Sequence, residues 1–265
     1  MTENKMEETK EQNKLDQRYS LDNTKKLGIA GIYILPSENE EKTIKEALEK
    51  DAEDFEPVLD KLGFSVNIFN ESKEAGSVAQ CLKKHADGVQ EEDQCFLGMF
   101  IGHGSPGTVE SRHGSLGIHS KIIPMFAKIE WLKGKPKIFV FQACRGAKMC
   151  IGMPTVTGAL ALEELKTDCS DILLCYASFH GFVSYGGNSD KPGTLYLQKF
   201  KEILKTFADG NNSLVDILTR LNSEVRASAE IAKAIQMPSF ESSLRKKICL
   251  KYQNMDRAPS GDTEE

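Results

Sequence analysis

Near-continuous apolar runs recur along the chain, separated by stretches whose apolar residues fall three or four positions apart. LGIAGIYILP (27–36), CFLGMFI (95–101), KIFVFQA (137–143) and DILLCYA (171–177) have the pattern of strands buried on both faces. FSVNIF (64–69) alternates apolar and polar residues as a half-buried strand does. Residues 41–62 place Ile44, Ala47, Leu48, Phe55, Val58, Leu59 and Leu62 at helical spacing. Further helices are predicted near 74–88, 119–132, 193–208 and 212–227, and a last extended segment near 245–252. Trp131 closes the helix near 119–132 and reads as a packing residue. Strands alternating with helices predict an α/β fold with a mostly parallel sheet covered by helices on both faces.

The same pattern divides the chain. Residues 1–26 are too rich in Lys, Glu, Asp, Asn and Gln to offset the entropy of ordering, so a disordered leader is expected there, and a disordered tail over 254–265. Residues 27–146 and 171–253 form two structured parts. They are joined by 147–170, where Gly152, Pro154 and Gly158 break regular structure.

Composition narrows the function. The 265 residues include 34 basic and 39 acidic side chains, a net charge of −5, with no basic cluster to follow a phosphate backbone, so no nucleic-acid partner is expected. No stretch approaches the roughly 20 apolar residues of a membrane span, and the N-terminus has no apolar signal core. No membrane association and a cytoplasmic location are therefore expected. The seven cysteines, at 81, 95, 144, 150, 169, 175 and 249, are odd in number and lack C-x-x-C spacing. No histidine joins them in a zinc-like set, and cofactor motifs are missing, so neither metal nor cofactor is expected.

In an open α/β sheet functional groups collect beyond the carboxyl ends of the strands. Gly102-His103-Gly104 follows one apolar run, and Gln142-Ala143-Cys144-Arg145-Gly146 ends another. Taken singly, such a cysteine is more often a packed thiol and His-Gly a turn. Brought together, the imidazole takes the thiol proton and the thiolate attacks a carbonyl carbon, while the N–H groups of Gly104 and Cys144 can hold the resulting oxyanion.

The string Q-A-C-R-G, with a histidine about 40 residues upstream, resembles the local signature of caspases, in which that spacing is roughly 50. Other segments are similar to the family in the same order: Tyr19-Ser20-Leu21, Gly134-Lys135-Pro136-Lys137, Cys175-Tyr176-Ala177-Ser178, Gly193 to Gln198, Asp216 to Asn222 and Gln236-Met237-Pro238. The resemblance implies a caspase-like sandwich around a six-stranded central sheet. It makes 27–146 the large-subunit-like part, 147–170 the intersubunit linker and 171–253 the small-subunit-like part. It also implies a Cys144/His103 dyad and dimers, homo- or heteromeric, built by pairing of a final strand within 239–250.

Caspases hold a substrate aspartate with two arginines and a glutamine, since a desolvated carboxylate needs charge-assisted, bidentate donors. Gln142 is retained. Counted back from Asp51-Ala52, Lys45 or a neighbour stands at the first arginine position, and Gly186 at the second, with Tyr185 and Phe182 on the adjoining S2-like surface. Both arginines are gone from this alignment. Within 147–170 the sole aspartate is Asp168, close to the next strand and a poor processing site, so the chain is expected to stay in one piece. The leader is also too short for a death-fold adaptor domain, so recruitment through one is not expected.

The expected function is an impaired, decoy-type caspase that regulates an active caspase in apoptosis by dimerisation. The alternatives are an active cysteine endopeptidase cutting protein or peptide substrates after residues other than aspartate, and an ordinary aspartate-specific caspase.

Overall fold

The apolar runs become the strands of a central sheet in the computed structural model, which describes residues 17–145, 168–179, 193–231 and 236–253. In chain order these are β1 (Gly28–Leu35), β2 (Phe64–Asn70), β3 (Cys95–Gly102), β7 (Lys137–Gln142), β8 (Ile172–Tyr176) and β9 (Ser239–Ser242), arranged β2-β1-β3-β7-β8-β9. The first five are parallel and β9 is antiparallel to β8. This is the six-stranded, mostly parallel sheet expected.

The two faces differ in chemistry. One carries aliphatic side chains, among them Ile32, Met99, Val140 and Leu173, packed against α1 (Lys42–Lys61), α4 (Leu195–Phe207) and α5 (Leu214–Ile231). The other is aromatic: Tyr33, Phe100, Phe141 and Tyr176 occupy adjacent register positions on β1, β3, β7 and β8, with successive ring centroids 4.8, 5.1 and 5.2 Å apart. Stacked rings in register add to the area they bury and tie four strands together at one level. This face is covered by α2 (Val78–Asp87) and α3 (Ile123–Ala127).

Several expectations are corrected. The helix near 119–132 is a π-helical turn, Ile118–Ile122, running into the short α3, followed by a 3₁₀ turn at Glu130–Leu132. Trp131 lies on that turn and is 46% exposed, so it is not a packing residue. Residues 104–117 form a small antiparallel sheet, β4 (Gly104–Ser105), β5 (Thr108–Ser111) and β6 (Gly114–Gly117), whose strands are too short to show a period. The helix expected from 74 starts at Val78, because Ser77 and Gln80 close a capping box. The last strand is β9, and the segment 245–252 contributes only isolated bridges from Lys247 to Arg18 and from Lys251 to Asp209.

Residues 17–26 are not a loose leader. The Tyr19 ring is buried, and its hydroxyl donates to Asp171 Oδ1 at 2.6 Å. Asp171, buried at the start of β8, also receives Arg245 Nε at 2.9 Å and Nη2 at 2.6 Å. Burial alone would raise its pKa, but the Arg245 fork and the Tyr19 hydroxyl outweigh that and hold the carboxyl below its ordinary value. Residues 1–16, most of the linker and the tail 254–265 lie outside the described residues. Among the described residues no helix is long and apolar enough to cross a membrane.

Candidate active site

β3 and β7 are neighbours, with Ile101 opposite Gln142. His103 and Cys144 each follow two residues later, so the register brings the imidazole and the thiol to the same end of the sheet. Gly104 explains how closely the chains pass: a side-chain carbon there would come within 2.8 Å of the Cys144 carbonyl oxygen, 2.8 Å of the Thr108 oxygen and 3.0 Å of Ala143 Cβ. Glu110 N–H on β5 donates to the His103 carbonyl at 2.9 Å, so the small antiparallel sheet holds the histidine backbone. Arg145 anchors the other side of Cys144. Its guanidinium stacks 3.6 Å from the Tyr176 ring, the end of the aromatic ladder, and reaches Glu241 on β9 at 3.2 Å.

A residue the sequence reading missed completes the group. β1 ends beside β3, with Leu35 opposite Gly102, and the loop that follows brings Glu40 to His103, where Glu40 Oε2 meets the ring Nε2. Ser37 N–H and Oγ donate to the same oxygen at 3.2 and 3.1 Å. Burial pushes this carboxyl up, but the His103 and Ser37 hydrogen bonds outweigh it and hold it below its ordinary value. Nothing local in PSENEE distinguishes Glu40 from its acidic neighbours, so only the fold identifies it.

Of the residues expected to line a substrate pocket, Gln142 is buried at the end of β7 and Lys45 is half-buried on the first turn of α1, which starts at the same end of the sheet. Gly186, Tyr185 and Phe182 lie outside the described residues. The chain returns at Gly193-Thr194, where Asp51 of α1 receives Thr194 N–H with both oxygens, at 2.9 and 3.1 Å. Gly193 has φ +100°, and a side chain on it would strike Gln198 and Asp51. Burial pushes the Asp51 carboxyl up to about 7, against the Thr194 hydrogen bonds.

Five other thiols lie among the described residues. Burial raises Cys81 to about 11 and raises Cys95, Cys175 and Cys249, whereas Cys169 is exposed. Cys81 Sγ lies 3.8 Å from His85 Nε2, whose Nδ1 meets the Tyr33 hydroxyl at 2.6 Å. Among the described residues no three potential ligands gather around a metal-sized space.

The family model described as Caspase domain matches residues 42–249. A Gallus gallus caspase-7 is 27% identical over 217 residues, 76% of this chain and 69% of the relative. A Bos taurus caspase-3 is 30% identical over 152 residues, 54% of this chain and 53% of the relative. The crystal structure of caspase-1 from Spodoptera frugiperda superposes with a TM-score of 0.69 at 21% identity, covering 88% of this chain and 94% of that one, a similarity of fold.

Proposed function

We propose a function from one premise, that the chain belongs to the caspase family. It is an impaired member that pairs with a competent caspase and modulates that partner's activity in cell death. The observation that carries this reading is the placement of guanidinium groups. No arginine lies between Arg18 and Arg112 in the sequence. Among the described residues, Arg145 is engaged by Glu241, Arg226 by Glu230, Arg245 by Asp171 and Arg18 by the Gly210 carbonyl, Arg220 lies over Phe207, and Arg112 is exposed on the β5–β6 turn with its backbone N–H on Glu71. Lys45 offers a single ammonium, which does not replace a guanidinium fork. Losing one partner of a buried charge pair costs about 3 to 5 kcal/mol, so two losses reduce use of a P1 aspartate by several orders of magnitude.

The pairing surface is β9, the outermost strand on its side of the sheet. Ser243 directs its N–H to the Ile172 carbonyl and its carbonyl to Asp171 N–H. Strand alternation therefore turns the N–H groups of Phe240 and Ser242 toward the free edge. The test mixes the full chain with an active caspase and reads heterodimer by native mass spectrometry and partner turnover on an aspartyl substrate. Both should change, and Ser242→Pro should abolish both by removing an edge donor. No complex and no change in turnover would sink the proposal.

The contact between Glu40 and His103 favours a second reading, an endopeptidase with a preference other than aspartate at P1. It requires Cys144-dependent cleavage in a peptide-library digest, absent in Cys144→Ala.

A further inference from the structure

We infer that Glu40 is a positioning residue that extends the Cys144/His103 pair into a Cys–His–Glu relay. This rests on the family reading of Cys144 and His103 as nucleophile and base, and is independent of whether the protein regulates or cuts.

The argument starts from which ring nitrogen is engaged. A carboxylate on Nε2 requires that nitrogen to carry the proton, which leaves Nδ1 with the lone pair that must receive the thiol proton. The partner is itself held: the Glu40 side chain is 7% exposed while that of His103 is 46% exposed, and the two Ser37 donors fix the bonding oxygen. A half-exposed ring has little packing to set its plane, so the Glu40 contact and the His103 backbone bond from Glu110 share that task. A fixed negative charge behind the ring also stabilises the imidazolium that forms as the thiol ionises, and so increases the thiolate fraction.

Among the described residues, Glu40 from the β1–α1 loop bonds the ring and Glu110 on β5 is near enough to feel its charge, while the register places Cys144 after β7 at the same end of the sheet. The Glu110 carboxyl is held down mainly by the Ser115 hydroxyl, with His103 a smaller influence, so Glu110 is the weaker partner of the imidazole. In alkylation by iodoacetamide, the Cys144 S–H proton passes to Nδ1, the sulfur–carbon bond forms and iodide leaves.

The experiment has two readouts on the full chain. With ¹⁵N-histidine, the neutral His103 ring should carry its proton on Nε2. In Glu40→Ala the Nε2–H tautomer should lose its preference, with Glu40→Asp closer to the starting protein and Glu110→Gln showing the smaller change. In parallel, Cys144 alkylation at pH 7 should slow about tenfold in Glu40→Gln, while Glu38→Gln leaves it unchanged. An unchanged tautomer in Glu40→Ala, or a proton on Nδ1 in the unaltered protein, overturns the inference. If the tautomer responds but Cys144 in the unaltered protein reacts no faster than exposed Cys169, the hold of Glu40 on His103 stands and the nucleophile reading fails.

Discussion

Asp51 and Asp171 are both fully buried carboxylates that tie together segments distant in sequence, yet they lie on opposite sides of the ordinary aspartate value. Asp171 meets a guanidinium fork and a phenol, and is held low. Asp51 is bound chiefly by the N–H of Thr194 and sits deeper, next to the Asp54 carboxylate, so burial raises it to about 7. Neutral donors satisfy the oxygens but do not compensate the lost hydration of the charge. On the proposed reading a substrate aspartate meets the same choice, and a pocket without a guanidinium resembles the setting of Asp51 more than that of Asp171.

The largest expected effect comes from giving both sites the same substitution. Asp171→Asn tolerates the left-handed backbone at φ 62° but loses the charged acceptor, and should destabilise the fold at pH 7 by about 3 kcal/mol. That figure is at the low end for a buried pair because Arg245 is open to solvent. Because the native carboxyl is held low, its contribution is present above the unfolded value of about 4 and is lost as pH falls below it through the lowered folded value, so urea denaturation should show the gap closing in strong acid. A loss near zero at pH 7 would break the comparison.

The second test moves the pocket toward the Asp171 environment. Lys45→Arg combined with Gly186→Arg should raise Cys144 labelling by an aspartyl fluoromethylketone about a hundredfold, worth about 2.7 kcal/mol, with iodoacetamide labelling nearly unchanged. Intact mass reads both, and equal changes with the two probes would show that recognition is not the defect.

The effect of Asp51→Asn is read as a slope, and within any one pH unit it is the smallest of the three. The native carboxyl is raised, so the folded state binds more protons than the unfolded one between about 4 and 7. Stability of the unaltered protein should therefore fall with rising pH across that window, by at most about 1.4 kcal/mol per pH unit, and level off above it. Asp51→Asn should flatten that slope and be the more stable form at pH 8. A slope unchanged by the substitution would mean that Asp51 is already ionised.

The strands were legible because parallel strands buried on both faces must be apolar throughout, and β1, β3, β7 and β8 each keep that pattern. β9 was placed only within a longer segment, since four residues half-exposed at an edge leave almost no signal. The same brevity hid β4, β5 and β6. The buried Tyr19 shows the opposite failure: a polar neighbourhood suggested disorder, although one ring anchored on Asp171 is enough to hold the segment down.

By itself the sequence determined the class of the sheet, the caspase-like string Gln142 to Gly146 and the histidine before it, because each is written in contiguous residues whose chemistry is local. The absence of arginine from Arg18 to Arg112 was equally plain. Only the tertiary structure decided that Glu40 meets His103, that Arg145 ends an aromatic ladder, and that two buried aspartates are shifted in opposite directions. Those outcomes depend on partners 63, 152 or 143 positions away, as in His103–Glu40, Tyr19–Asp171 and Asp51–Thr194, and electrostatic environment is a property of what the fold places alongside a group.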